Sequence, residues 1–452
     1  MKTYDLIVLG GGRSTILAQK AAELGKKVAI IEKSALGGTC PNRGCVPSKL
    51  LIGHAHVARA IKESGRHFID STINNIDQEK IFTKTNAYVI GVEPRYDARL
   101  KEMMDIYYGE GTFVSDKMLK VNGEELTAKT ILIGTGTRPR TPEHEKAWSS
   151  DDIFPLNGKI PKSISIVGSG VIACELANFF DAIDIKTTML VRTNGFLAQE
   201  DVQIAKIFKD EFAKNMDVRL NTSIKEIVHE NGMFSMQLQN KNGELSTHKS
   251  EAVLYATGRV SNADRLKLEN TNIKTNKRGF IQRDKNLETS VEGVYVIGDA
   301  SGEYMLQHSA SHEVNKLGNY LYGEAENIPV FKYMTHAVFT DPEVASVGIT
   351  EEQAKAQNIK YVAAMAPWTG SAKAMSTLLD YPRTKFLVNP KNYEILGCHM
   401  IGPESSTLIH QVLTVIHIDN DIRYLRDMMY IHPALNESFL ASVREVIGKC
   451  KS

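Results

Sequence analysis

No apolar run in this 452-residue sequence reaches the roughly 18 residues that a membrane-spanning helix needs. Charge imbalance is also missing: 54 basic and 53 acidic side chains leave a formal net charge of +1. Such a balance favours neither nucleic acid nor an anionic membrane surface as a partner. Cysteine is scarce, with only Cys40, Cys45, Cys174, Cys398 and Cys450, too few and too scattered for a disulfide scaffold. No second Cys/His pair stands at metal-ligand spacing, so no metal site is expected. The opening Met-Lys-Thr-Tyr-Asp runs straight into an apolar strand and leaves no room for a secretory leader. The expected compartment is the cytoplasm, where a disulfide is usually catalytic or redox-sensing.

What is present is a strand–turn–helix pattern, used twice. The length suggests two to four domains, and the composition is that of an ordinary globular protein. Tyr4 to Leu9 reads as a buried parallel strand, Gly10-Gly11-Gly12 as a tight turn, Ala18 to Leu24 as a helix, and Val28 to Ile31 as a second strand. Gly10 and Gly12 let backbone approach a pyrophosphate, with the helix N-terminus turned towards it. Glu32 follows Gly12 by twenty residues, the spacing of a carboxylate that holds a ribose hydroxyl. Thr15 replaces the third glycine of this fingerprint, which predicts looser packing of helix on strand.

Residues 163–180 repeat the unit, with Gly168 and Gly170 in the turn and Ala173 in the third-glycine position. Two such units imply two cofactors, or one cofactor and a degenerate copy. After the next strand, Lys186 to Val191, the ribose-binding acid is replaced by Arg192. A cation there suits a 2′-phosphate and leans towards NADP; a solvated surface arginine is the other reading. Turns at Thr135-Gly136 and Thr257-Gly258-Arg259 suit chain crossings between domains. A short strand delivers Asp299 and Ala300 to the carboxyl end of a sheet, where α/β proteins bind ligands. From about residue 330 the pattern changes to α+β.

The chemistry lies in Gly38-Thr39-Cys40-Pro-Asn-Arg-Gly-Cys45-Val-Pro-Ser-Lys49. A Cys-x₄-Cys pair beside a flavin can alternate between dithiol and disulfide. Cys45 opens a predicted helix and Lys49 follows one turn on; both features favour thiolate, the species that attacks disulfides. A structural bridge or half of a zinc site are the other readings of the pair. Exchange also needs a proton carrier near neutral pH, for which His432, with Glu437 five residues on, is the candidate. His54 and His56 compete for that role. Cys174 and Cys398 read as small core residues and Cys450 as an exposed one.

In combination these segments resemble the class I pyridine nucleotide–disulfide oxidoreductases, the family of lipoamide dehydrogenase, glutathione reductase, mycothione reductase and mercuric reductase. The likeness rests on GGTCPNRGCVPSK (37–49), GSGVIACE (168–175), YATGR (255–259), YVIGDA (295–300), VFTDPEVASVGIT (338–350) and HPALNE (432–437). It implies an α/β fold of two Rossmann-like domains, the NAD(P) domain inserted in the FAD domain, with a C-terminal α+β dimerisation domain. The expected boundaries are 1–150 and 263–330 for FAD, 151–262 for NAD(P) and 331–452 for dimerisation. The resemblance further implies that Cys45 lies against the flavin, Cys40 exchanges with substrate, Lys49 pairs with Glu175 near the flavin, and Asp299 binds the ribityl chain. His432 and Glu437 would serve the partner subunit of a homodimer. Met305-Leu-Gln-His308 resembles a stretch of lipoamide dehydrogenases, to which mycothione reductases have a related segment, whereas Arg192 is shared with glutathione and mycothione reductases. The first expectation is a dihydrolipoamide dehydrogenase acting on lipoamide or a lipoyl protein. An NADPH-dependent reductase of a low-molecular-weight disulfide is second, and a flavin oxidase or quinone reductase third.

Overall fold

The computed structural model describes residues 1–156, 158–323, 325–328 and 333–451. Its first sheet is built around the strand Lys2–Leu9, which lies parallel to Val28–Glu32 on one side and Glu124–Ile133 on the other. Asp105–Tyr108 extends the sheet beyond Val28–Glu32, and the hairpin strands Met118–Val121 and Thr112–Ser115 extend it beyond Glu124–Ile133. Every residue of Val28–Glu32 is buried, as expected of a parallel strand covered on both faces. A strand from far downstream, Val294–Val296, pairs with Ile131 to Ile133 and completes the sheet.

The intervening chain forms a second parallel sheet. Ser163–Val167 is central, with Lys186–Leu190 and then Asp217–Arg219 on one side, and Ala252–Tyr255 and then Trp148–Ser149 on the other. The chain leaves the first sheet through Gly134-Thr135-Gly136 and returns through Thr257-Gly258. The short strands that follow these turns, Thr137–Pro139 and Arg259–Ser261, pair antiparallel. An antiparallel sheet comes last, ordered Thr335–Val338, Val344–Gly348, Ile395–Ile401, Arg383–Val388, Val362–Pro367. Helices Ser405–Ile418 and Leu440–Cys450 cover it, Val412, Val443 and Val446 meeting Phe386, Cys398 and Met400 in one apolar core. The architecture is therefore two Rossmann-like units, one inserted in the other, followed by an α+β unit. The boundary expected at 330/331 lies outside the described residues.

One core joins all three units. Leu51, Ala55 and Ala58 of helix Cys45–Lys62 pack with Leu176, Phe179 and Phe180 of helix Val171–Ala182, and with Val338, Val344 and Ile401 of the third sheet. Burying a phenylalanine is worth about 1.5–3 kcal/mol, so this cluster fixes the cysteine-bearing helix firmly on its neighbours. Cys174 and Cys398 are fully buried core residues. Cys450 is not exposed as expected: it is half-buried against the C-terminal core. No helix among the described residues is long and apolar enough to cross a membrane.

Candidate active site

A continuous cleft of about 2690 Å³ runs between the sheets. Its floor at one end has no side chains. Gly10 has φ +104°, and a Cβ there would collide with the carbonyl of Gly134. Gly38 has φ +71°, and a Cβ there would lie 2.7 Å from the Cα of Gly12. Backbone therefore meets backbone where helix Thr15–Glu23 begins. Thr15 is buried, and its hydroxyl donates to the Gly12 carbonyl at 2.9 Å. Glu32 ends its strand at the cleft, its two oxygens accepting from the Gly11 and Ser34 N–H groups at 2.6 Å each. These bonds fix its orientation and leave each oxygen a further lone pair. Opposite, the Thr137 hydroxyl accepts from Arg259 Nε at 2.8 Å and donates to Asp299 at 2.7 Å. Burial pushes the Asp299 carboxyl up, against the lowering effect of that hydroxyl. The Thr135 hydroxyl is buried and has no hydrogen-bond partner among the described residues. A bare glycine floor at a helix N-terminus, an oriented carboxylate and an orphaned hydroxyl suit a pyrophosphate-bridged dinucleotide such as FAD.

The second glycine turn lines the same cleft. Gly168 has φ +139°, and a Cβ on it would clash with the Ala256 carbonyl; Gly170 caps helix Val171–Ala182. Arg192 is exposed at the rim, and no carboxylate among the described residues pairs with it.

The two cysteines sit where these parts converge. Thr39–Arg43 forms one helical turn, Gly44 breaks it, and Cys45 begins the helix Cys45–Lys62. The Cys40 thiol donates to the Cys45 sulfur. That bond and the nearby Lys49 charge bring Cys45 down to about 7, although burial opposes the shift. Cys40 moves the other way, pushed up by its role as donor and by burial. The pair is thus asymmetric: one sulfur ionises near neutrality and its neighbour carries the proton.

One turn further on, Lys49 Nζ donates to both oxygens of Glu175, at 2.9 and 2.7 Å. Glu175 is almost buried and also accepts from the Phe339 backbone N–H at 3.1 Å. The Lys49 ammonium lies 4.6 Å from the centre of the Phe339 ring. Each of the three units supplies one member of this cluster.

Most of the residues singled out in the sequence line this one cleft: Gly10, Gly12, Glu32, Gly38, Thr39, Cys40, Cys45, Lys49, Thr135, Gly136, Gly168, Gly170, Glu175, Arg192, Gly258, Arg259 and Asp299. Ala300 does not; its side chain is in the core behind Asp299. His54 and His56 lie outside the cleft. His432 and Glu437 pair with each other, Nδ1 to Oε1 at 3.0 Å, yet the single chain does not bring them to the cysteines. The His432 side chain is 76% exposed, facing outward. Glu437 is held below the usual carboxylate range by the Ala434 N–H and by His432. Four cleft residues were not legible in the sequence. Arg13 sets its guanidinium against the amide of Gln307, and Glu200 pairs with His336 across 136 positions, a distance no spacing rule spans.

Residues 4–313 match the family described as pyridine nucleotide-disulphide oxidoreductase, and residues 334–443 match the dimerisation domain of that family. The chain is 31% identical over 446 residues to a dihydrolipoyl dehydrogenase of Buchnera aphidicola, covering 96% of this chain and 94% of that protein. It is 28% identical over 456 residues to a mycothione reductase of Mycobacterium tuberculosis, covering 97% and 98%. Among solved structures it is similar to the HOCl-induced flavoprotein disulfide reductase RclA from Escherichia coli, with a TM-score of 0.83, 25% identity, and 98% and 99% of the two chains covered. Fold, cleft and these matches agree: the chain belongs to the FAD-dependent pyridine nucleotide–disulfide oxidoreductase family.

Proposed function

We propose that this protein moves electrons between NAD(P)H and an external disulfide through Cys40 and Cys45, with lipoamide or a lipoyl protein as its first-choice substrate. The observation that carries the reading is the asymmetric cysteine pair one helical turn from the Lys49–Glu175 ion pair. A bound flavin supplies the hydride chemistry and the two-electron reduction of the cysteine disulfide. Gly10, Gly12, Gly38, Thr39 and Glu32 would hold its adenosine and pyrophosphate, and Thr135, Gly136 and Asp299 its ribityl chain. Gly168, Gly170, Gly258 and Arg259 would frame the nicotinamide nucleotide.

The sulfur steps balance among the chain's own groups. Cys40, as thiolate, attacks one sulfur of the substrate; the substrate S–S bond breaks, a mixed disulfide forms and one thiolate departs. The Cys45 thiolate then attacks Cys40, closing the Cys40–Cys45 bond and releasing the second thiolate. The first step needs a base for the Cys40 proton and both need an acid for the departing sulfur. His432 of the partner subunit, its tautomer set by Glu437, would serve both in a homodimer. Lys49 keeps Cys45 ionised and Glu175 keeps Lys49 in place. The same steps run in reverse for dihydrolipoamide oxidation.

Arg192 favours a second reading, a reductase of a low-molecular-weight disulfide with NADPH, because an exposed guanidinium that no carboxylate among the described residues pairs with, beside the second glycine turn, matches a 2′-phosphate. A panel decides between them: lipoamide, glutathione disulfide, a coenzyme A disulfide and mycothiol disulfide, each with NADH and NADPH. The highest kcat/KM is expected with lipoamide. Preference for a soluble disulfide with NADPH selects the second reading. No turnover with any disulfide, with flavin still reduced by nicotinamide, selects a flavin oxidase or quinone reductase.

A further inference from the structure

The cleft holds a charged pair that none of these steps uses. His336 is on the edge strand Thr335–Val338 of the third sheet, and Glu200 ends the loop that precedes helix Val202–Phe212. His336 Nε2 and Glu200 Oε1 are hydrogen-bonded. The other Glu200 oxygen accepts from the Ser346 hydroxyl at 2.6 Å. Ser346 faces His336 across the antiparallel strand pair, and the buried His399 ring meets its hydroxyl at 3.2 Å. Glu200 is almost fully buried, while the His336 side chain keeps 29% exposure and both residues line the cleft.

Position gives the pair its meaning. Leu197 N–H donates to the Ser169 carbonyl at 2.9 Å, and Glu200 N–H to the Leu197 carbonyl at 2.9 Å. The loop that carries Glu200 is therefore bonded to the second glycine turn. The helix that leaves this turn carries Glu175, which accepts from Phe339 and pairs with Lys49. Residues 335–339 thus grip the inserted unit at two points, His336 on Glu200 and Phe339 on Glu175. Between those points the cleft is walled by Ser169 to Ile172 on one side and by Ala337 and Phe339 on the other. On the proposed function, a nicotinamide ring entering this part of the cleft would pass between these walls towards the Lys49–Glu175 pair.

Resting on the disulfide-oxidoreductase reading, we propose that His336 is a positioning residue for the nicotinamide half-reaction: its pairing with Glu200 holds the loop at 197–200 and the second glycine turn against the third sheet, and so sets how tightly the nicotinamide is held. Burial disfavours the charged imidazole, but the hydrogen bond and charge of Glu200 outweigh it and raise His336 above its ordinary 6.5. Glu200 is held below the usual carboxylate range, burial being outweighed by His336 and Ser346. The remaining groups near the pair are accounted for. Burial pushes His399 below its ordinary value, and Lys385 is balanced by Asp201 at 2.7 Å and Glu351 at 2.6 Å. His308, from helix Gln307–Tyr322, is spent on the Thr335 carbonyl at 2.8 Å. Because the folded-state value is raised, the cation is complete below 6.5 and is lost as pH rises through the higher value. The grip is therefore tightest in mild acid.

The test uses flavin-loaded wild-type, His336→Leu, His336→Gln and Glu200→Gln proteins. Anaerobic flavin reduction by NADH and NADPH is followed across pH, giving nucleotide affinity and limiting rate. Reoxidation of the pre-reduced protein by lipoamide is measured separately. Wild-type affinity should fall as pH rises above 6.5. His336→Leu should weaken nucleotide by about tenfold, the scale of one lost charge-assisted hydrogen bond, and flatten the pH profile. His336→Gln, which retains a neutral hydrogen bond, should recover part of the affinity while staying pH-independent. Glu200→Gln should flatten the profile as well. Reoxidation by lipoamide should match wild type throughout. A wild-type profile already flat over this range overturns the proposal, as does an equal loss in both half-reactions. Wild-type flavin that no nicotinamide reduces at any pH sinks the parent reading instead, so the two failures are distinct.

Discussion

Cys45 and Cys40 are chemically identical side chains with opposite tasks, and their surroundings separate them. Cys45 receives a hydrogen bond and faces a lysine, which brings it to about 7. Above that pH the thiolate is present, and below it is lost. The long-wavelength absorption of a thiolate against oxidised flavin, after two-electron reduction, should therefore grow as pH rises through about 7. Lys49→Met removes the lowering charge, so the same rise should move to higher pH by roughly one unit, or about 1.4 kcal/mol. A rise unmoved by the substitution would leave Lys49 without this role. Cys45→Ser should leave flavin bound but abolish both the absorption band and turnover of every disulfide; retained turnover would reject the sulfur relay.

Turns and helix ends decide which groups can meet. Segment 432–437 holds the His432–Glu437 pair through the Ala434 N–H, which donates to Glu437 at 2.9 Å. His432→Gln should slow the thiol half-reaction by roughly 10²–10⁴, the usual span for general acid–base groups, while flavin reduction by nicotinamide stays near normal. Stopped-flow measurement of the two half-reactions separates these effects. At the second glycine turn the prediction concerns cofactor choice. Arg192→Ala should raise the KM for NADPH far more than that for NADH, and an equal rise in both would mark Arg192 as a surface residue.

The whole molecule depends on three sheets staying in register around one cleft. Lys385 of the third sheet, 1% exposed, meets Asp201 of the inserted unit, which is fully buried. Lys385→Met leaves that buried carboxylate without its cationic partner and should lower stability by about 3–5 kcal/mol, read from denaturant unfolding. Glu351, also bonded to Lys385, is held at about 2, below its usual 4.5. Its stabilising effect is present above 4.5 and fades as pH falls towards 2, so the Lys385→Met protein should lose less additional stability over that acid range. A wild-type and variant pair with parallel acid profiles would contradict the assignment.

Local patterning was enough to identify two glycine turns, the helix that Cys45 begins and the strands on either side, because close approach, capping and alternation are properties of neighbours in the chain. For the same reason Gly10, Gly38, Glu32 and Lys49 could be named before any fold was known. Tertiary structure decided which distant groups share a space. It set the Glu175 carboxylate beneath the Phe339 N–H, turned Ala300 into the core, left His432 facing outward, and closed His336 on Glu200. Those outcomes depend on how three sheets pack through a common core, a geometry that depends on side-chain volume and burial far along the chain rather than on residue spacing.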